Sequence, residues 1–168
     1  MDAFESVVTK LDIREFSVNV VSSEIKSKVL EAARLTGTGL NTQHWRFILV
    51  ENKGNLKKLA EDSTSGKWVA NCNFAIIILT NPKYHFHLID AGRVLQSMQL
   101  AAWNYGVGSG IFTGIEEDKF RKDFGIPEEF YVSAIIGFGY PIKKLTGKRK
   151  DRLPLNVLVH NEKYGISS

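Results

Sequence analysis

The 168-residue chain carries 22 Lys and Arg against 18 Asp and Glu, a formal net charge of +4, with 43% hydrophobic residues and a single cysteine. That length suits one domain with a sizeable core, so 1–168 is expected to fold as a single domain. The lone Cys72 excludes an internal disulfide and a multi-cysteine metal site, no apolar run approaches the ~20 residues of a membrane helix, and the N-terminus lacks a charged-then-apolar export signal; a reducing, cytoplasmic setting is expected.

In chain order, Phe4 to Lys10 reads as a short helix with Phe4, Val7, Val8 and Leu11 on one side, delivering the alternating segment Lys10-Leu11-Asp12-Ile13-Arg14. A second helix starts after Ser22 or Ser23, both able N-caps, carries Ile25, Val29, Leu30 and Ala33 inward, and stops near Gly37. A polar loop, Thr38 to Trp45, feeds a strand from Arg46 to Glu51 whose continuous apolar run predicts burial on both faces. Asn52 to Gly54 turns into a helix through Leu56, Leu59 and Ala60, Asp62 to Lys67 reads as a loop, and Phe74 to Thr80 is a second fully buried strand.

The stretch from Asp90 to Ile115 reads as a long core helix, a glycine-rich exit and a strand. Val94, Met98, Ala101, Ala102 and Tyr105 share one helical face, Asp90 is placed as the capping acid at the start, and Gly106 as the left-handed closing residue. Ser109 to Ile115 forms the third strand, an acidic helix runs from Glu116 to a stop at Gly125 and Pro127, and Tyr131 to Phe138 forms the fourth strand. An extended tail then runs through Tyr164. Two helices precede any strand, so the pattern favours a mixed α+β sandwich over a strictly alternating one.

Gly106-Val107-Gly108-Ser109-Gly110 resembles a nucleotide loop in composition but not in order. A dinucleotide loop follows a strand and opens a helix; here the helix precedes the glycines and points its negative end at them. The glycines serve either as a helix cap with a tight turn or as backbone lying flat against a planar ligand. Lys10, Asp12 and Arg14 are either a solvated helix end or a phosphate-binding group in which Asp12 is a hydrogen-bond acceptor.

Between Lys143 and Arg152 six basic residues face one acid, leaving the rest of the chain near neutral. The cluster is short and lacks interleaved aromatics, so cations converging on one phosphate suit it better than nucleic acid. His85 and His87 have a spacing compatible with metal but no further ligand to complete a set, so they and His44 read as polar loop residues, and Cys72 as a packed thiol.

These pieces, taken in order, resemble the nitroreductase family of FMN-dependent oxidoreductases over nearly the whole chain. Lys10-Leu11-Asp12-Ile13-Arg14-Glu15-Phe16 is similar to the family's basic N-terminal signature, and Gly37 to Phe47 to its P-S-x-x-N-x-Q-P-W-x-F loop. Asp90 to Gly110 resembles its core helix and exit, and Lys150-Asp151-Arg152-Leu153-Pro154 its closing K-x-R-x-P.

The resemblance implies an α+β nitroreductase-like sandwich, a mostly antiparallel central sheet flanked by helices around a long core helix. It also implies a homodimer with FMN at the interface, reduced by NAD(P)H and reoxidised by an electron-poor nitroaromatic or quinone. Carried over by position, Lys10, Lys150 and Arg152 would hold the phosphate and Arg14 would lie towards the ribityl and pyrimidine side. Thr38, Gly39 and Asn41 would reach the ring from the other subunit, and Thr113 and Gly114 would offer a backbone N–H near flavin N5. Leu11 stands where the family has a second arginine, removing one phosphate contact, and Gly37 and His44 replace frequent prolines. No side chain is assigned as acid, base or metal ligand. Flavin-destroying or dehalogenating relatives share an acid at the position of Asp12, and a non-catalytic flavin- or nucleic-acid-binding module is the remaining alternative.

Overall fold

The computed structural model describes residues 2–143 and 152–166. Its elements are α1 (Ala3–Thr9), α2 (Ser23–Leu35), β1 (Arg46–Val50), α3 (Lys53–Glu61), β2 (Phe74–Thr80), α4 (His87–Asn104), β3 (Gly108–Phe112), α5 (Glu117–Phe124), β4 (Tyr131–Gly139) and α6 (Leu155–Leu158). Two short 3-10 turns, Gly39–Asn41 and Lys67–Asn71, lie between them.

The sheet has four strands in the order β1-β2-β4-β3, and every named pairing is antiparallel. β2 is buried along its whole length, as its run of β-branched residues demands. Because side chains alternate across a strand, Ala75, Ile77 and Leu79 meet Leu56 and Leu59 of α3 and Phe120 of α5 in one core. Phe74, Ile76 and Ile78 meet Val94, Met98 and Ala102 of α4 and Val29 and Ala33 of α2 in the other. Three layers result, with the sheet between two helical sets. This is the expected α+β sandwich.

Local signals placed most ends. Ser22 caps α2 through a bond from the Ile25 N–H, and Asn52 caps α3 through Gly54 and Asn55. Gly106, at φ 74°, closes α4: its N–H donates to Trp103 and that of Val107 to Ala102, the paired bonds of a Schellman cap.

Four expectations need correction. β1 is an edge strand, so although Phe47 packs towards one core and Ile48 towards the other, Leu49 stays 37% exposed. α4 begins at His87, three residues before Asp90, which sits inside the first turn and is buried rather than capping. Tyr105 lies outside the buried face of α4, whose other side leaves Leu88 and Ile89 exposed. The tail contains α6 rather than running fully extended.

The glycines of β3 have an internal purpose. A Cβ on Gly108 would meet the Ile13 side chain, and one on Gly110 would lie 2.5 Å from the Ile13 carbonyl oxygen and 2.9 Å from Trp68. They let the segment around Asp12 lie along β3, where Asp12 bridges Ser109 in parallel and the Ile13 N–H donates to the Ser109 carbonyl at 2.8 Å. Gly106→Ala is expected to cost about 1–2 kcal/mol in urea unfolding through its left-handed backbone alone, because nothing lies near its Cβ. Gly110→Ala should in addition speed amide exchange at Ile13, which Gly106→Ala leaves unchanged.

Candidate functional site

α1 ends at Thr9, and Lys10 to Arg14 runs past the β3 edge of the sheet. The Lys10 ammonium donates to Asp12 Oδ1 at 2.6 Å and is largely shielded, its side chain 12% exposed. Gln99, buried on α4, donates from Nε2 to Asp12 Oδ1 at 3.3 Å and to Ser109 Oγ at 3.1 Å. Partial burial pushes the Asp12 carboxyl up, but the hydrogen bond and charge of Lys10, with Gln99 and Arg14, outweigh it and hold the carboxyl below its ordinary 3.8. Leu11 turns inward and packs against the core.

Asp12, Arg14 and Glu15 line one wall of a cleft of about 430 Å³, with Pro141, Ile142 and Lys143 on the other. The two segments are joined by a bond from the Ile142 N–H to the Glu15 carbonyl at 3.3 Å. That volume lies within the range of small-molecule sites. A second hollow of about 530 Å³ adjoins it across Arg14 and Ile142 and brings in Lys53 and Asn71.

Behind Arg14 lies Trp68. The guanidinium sits over the indole, 6.0 Å from its centroid, a contact worth about 0.5–1 kcal/mol near the surface. The indole meets Phe112 edge-on at 5.8 Å, and Thr113 follows Phe112 directly. Trp68 Nε1 is buried with no acceptor among the described residues. Thr113 and Gly114 have left β3; the Gly114 carbonyl accepts from the Thr64 N–H, and a Cβ on Gly114 would collide with the Thr64 and Ser65 hydroxyls. Lys10, Asp12 and Arg14 therefore gather at one sheet edge, and Trp68 with Phe112 links them to Thr113 and Gly114.

Thr38, Gly39 and Asn41 do not join that group. Their loop is tethered to the opposite half of α4, where the Asp90 carboxylate accepts from the Gly39 N–H at 3.0 Å and meets His44 Nε2 at 3.1 Å. Asp90 and Gln99 are nine positions apart, about 13 Å along a helix axis. The loop is strained: Leu40, Asn41 and Gln43 have φ of 53°, 55° and 46°. Left-handed backbone costs about 1–3 kcal/mol at a non-glycine residue, less at asparagine. Arg152 is exposed, and Lys150 lies outside the described residues.

Asp90, His44, Gln99 and Trp68 are the residues that sequence reading missed. Asp90 carried a signal, since Asp90, Val94 and Met98 fall at i, i+4 and i+8 on the buried face. His87 and His85 are no pair: His87 Nδ1 bonds Thr80 Oγ1 at 2.8 Å, and the His85 ring lies edge-on to Phe86. Burial raises the Cys72 thiol to about 12, which leaves it inert as a nucleophile. Among the described residues no cluster of His, Cys, Asp and Glu could hold a metal ion, and no helix is long and apolar enough to cross a membrane.

The donor set suits FMN: guanidinium and ammonium groups for an anionic ligand, a carboxylate acceptor beside them, and the unpartnered indole N–H of Trp68 behind Arg14. The three-layer sandwich has solved counterparts. It superposes on an FMN-dependent nitroreductase from Clostridium difficile with a TM-score of 0.87 at 24% identity, covering 96% of this chain and 99% of that one. A nitroreductase family protein from Streptococcus pneumoniae gives 0.83 at 19% identity, covering 95% and 99%. At the level of sequence, the Nitroreductase family profile matches residues 9–71 and 62–140. A protein of Archaeoglobus fulgidus provisionally named NADH dehydrogenase/NAD(P)H nitroreductase is 32% identical over 149 residues, 83% of this chain and 86% of that one. One of the same name from Methanothermobacter thermautotrophicus is 31% identical over 150 residues, 84% and 78%. The chain belongs to the nitroreductase family of oxidoreductases.

The Lys10–Asp12 pair has a testable sign. A carboxyl lowered by folding stabilises the folded state above its unfolded value and loses that contribution as pH falls through the folded one. The stability difference between wild type and Asp12→Asn should therefore shrink as urea unfolding is followed downwards from about pH 5 through the range just below the ordinary carboxylate value.

Proposed function

We propose that the protein is an FMN-dependent oxidoreductase that takes electrons from NAD(P)H and passes them to nitroaromatic or quinone-type acceptors. The observation that carries this reading is the cleft beside β3, which gathers Asp12, Arg14 and Lys143 and leads through Trp68 and Phe112 to Thr113 and Gly114. FMN, when bound, would supply the two-electron redox chemistry between NAD(P)H and the acceptor.

The residues of the chain bind, orient and polarise. Arg14, braced on Trp68, presents a fixed cation where a reduced flavin develops negative charge. Asp12, held by Lys10 and Gln99, serves as an acceptor for ligand hydroxyl or N–H groups. Lys10, Lys150 and Arg152 would hold the phosphate, Lys10 exchanging its bond to Asp12 for the ligand. Thr113 and Gly114 would offer a backbone N–H to the ring. No acid or base is needed from the chain, whose share is positioning and electrostatics.

Two separated half-sites favour a homodimer. The 38–41 loop and the Asp12 to Arg14 segment engage α4 about 13 Å apart along its axis, a spacing that supports the loop serving a partner's site rather than its own. Exposed Leu40 (89%), Ile89 (68%) and Leu88 (54%) at the loop and the start of α4 favour a covered surface here. A dimer joined this way sediments at twice the monomer mass.

Purified protein should bind FMN with flavin bands that bleach on anaerobic addition of NADPH and return on addition of a quinone. Arg14→Ala should weaken FMN binding about 10–100-fold, the loss of one or two charge-assisted hydrogen bonds. Arg14→Lys should restore only part of it, because an ammonium neither forks nor stacks as a guanidinium does. Protein that takes up no FMN in a fluorescence titration would contradict the reading.

A further inference from the structure

We infer that Asp90, acting with His44, is a positioning residue that holds the 38–43 loop in the shape that meets the flavin; this rests on the flavin reading above. The loop packs little of itself into either core. Leu40 is 89% exposed, yet Leu40, Asn41 and Gln43 all hold left-handed backbone without a glycine among them. Strain of this kind persists only where the surroundings over-determine it.

The surroundings that do so converge on one carboxylate. Asp90 is 1% exposed, and its oxygens accept from the Gly39 N–H, from His44 and from Arg93 Nη1 at 3.3 Å. The Asn81 N–H donates to His44 Nδ1 at 3.3 Å, so the imidazole proton resides on Nε2 and is donated to Asp90. The Phe86 ring lies against Gly39, where a Cβ would come within 2.6 Å. Within the loop, Thr38 Oγ1 accepts from the Gln43 N–H at 3.0 Å and Thr42 Oγ1 donates to the Gly39 carbonyl at 3.1 Å. The internal bonds close the loop on itself, and Asp90 and His44 fix it to α4.

A buried carboxylate that serves a backbone N–H and a histidine, under an exposed strained loop, is a preorganising device. Without it Leu40 and Gln43 relax towards ordinary backbone, and Thr38, Gly39 and Asn41 lose their common orientation. On the flavin reading above the loop meets the ring rather than the phosphate, so the loss would fall on ring binding.

The test compares wild type, Asp90→Ala and Asp90→Asn in titrations with FMN and with riboflavin, which lacks the phosphate. Far-UV circular dichroism and unfolding report on each fold. Asp90→Ala should weaken both ligands by the same factor, about tenfold or more, since misplacing a contact group by about an ångström carries losses of that order. Asp90→Asn keeps one carbonyl acceptor for three donors and should fall between, at about threefold. Where Asp90→Ala does not fold, the isosteric Asp90→Asn decides. Folded variants that bind both flavins as wild type does, or that lose FMN but not riboflavin, overturn the inference. Wild type that binds neither flavin sinks the flavin reading first, a result distinct from normal wild-type binding with no effect at Asp90.

Discussion

Asp90 and Gln99 are each 1% exposed, and both carry polar atoms on the face of α4 that is otherwise packed with Val94, Met98 and Ala102. Burying a polar group without partners is costly, so each must find hydrogen bonds, and each finds them in a segment of the site. Asp90 takes the Gly39 N–H; Gln99 reaches Asp12 and Ser109. One rigid helix thus sets the distance between the two groups of candidate site residues. The spacing follows from helix geometry, and the proposed dimer rests on that spacing.

The sheet supplies the other constraint. β2 and β4 are the inner strands, and of the two edges it is β3 along which the Asp12 segment lies. Close approach there requires Gly108 and Gly110, and Trp68 fills the remaining space over Gly110 and Gly137. The indole then serves both packing and charge placement, because Arg14 rests on it. Asp12 is the electrostatic counterweight: it pairs with Lys10 at 2.6 Å beside a cleft lined by Arg14 and Lys143.

Much of this was legible in the chain. Phe74 to Thr80 reads as a strand because its apolar, β-branched run has no helical period, and Gly106 reads as a stop because it follows the last periodic residue of a long helix. The motifs at Lys10 to Phe16 and Gly37 to Phe47 led to the family. Asp90 was misread because an acid near a helix start has two physical uses, and its partner Gly39 lies 51 positions away. Leu40 and Gln43 gave no local sign of left-handed backbone, since that shape comes from tethers rather than from residue type. Trp68 shows only in three dimensions, where residues distant in sequence stack around it.

The central claim is that one flavin site needs two chains. Arg14→Ala and Asp90→Ala, each weakened in FMN binding, can be co-expressed with different tags and the mixed dimer isolated. If the 38–43 loop completes the partner's site, the mixed dimer holds one site with both lesions and one with none, and it binds about half the wild-type FMN at wild-type affinity. If both groups serve the site of their own chain, the mixed dimer contains no intact site, and high-affinity binding is absent.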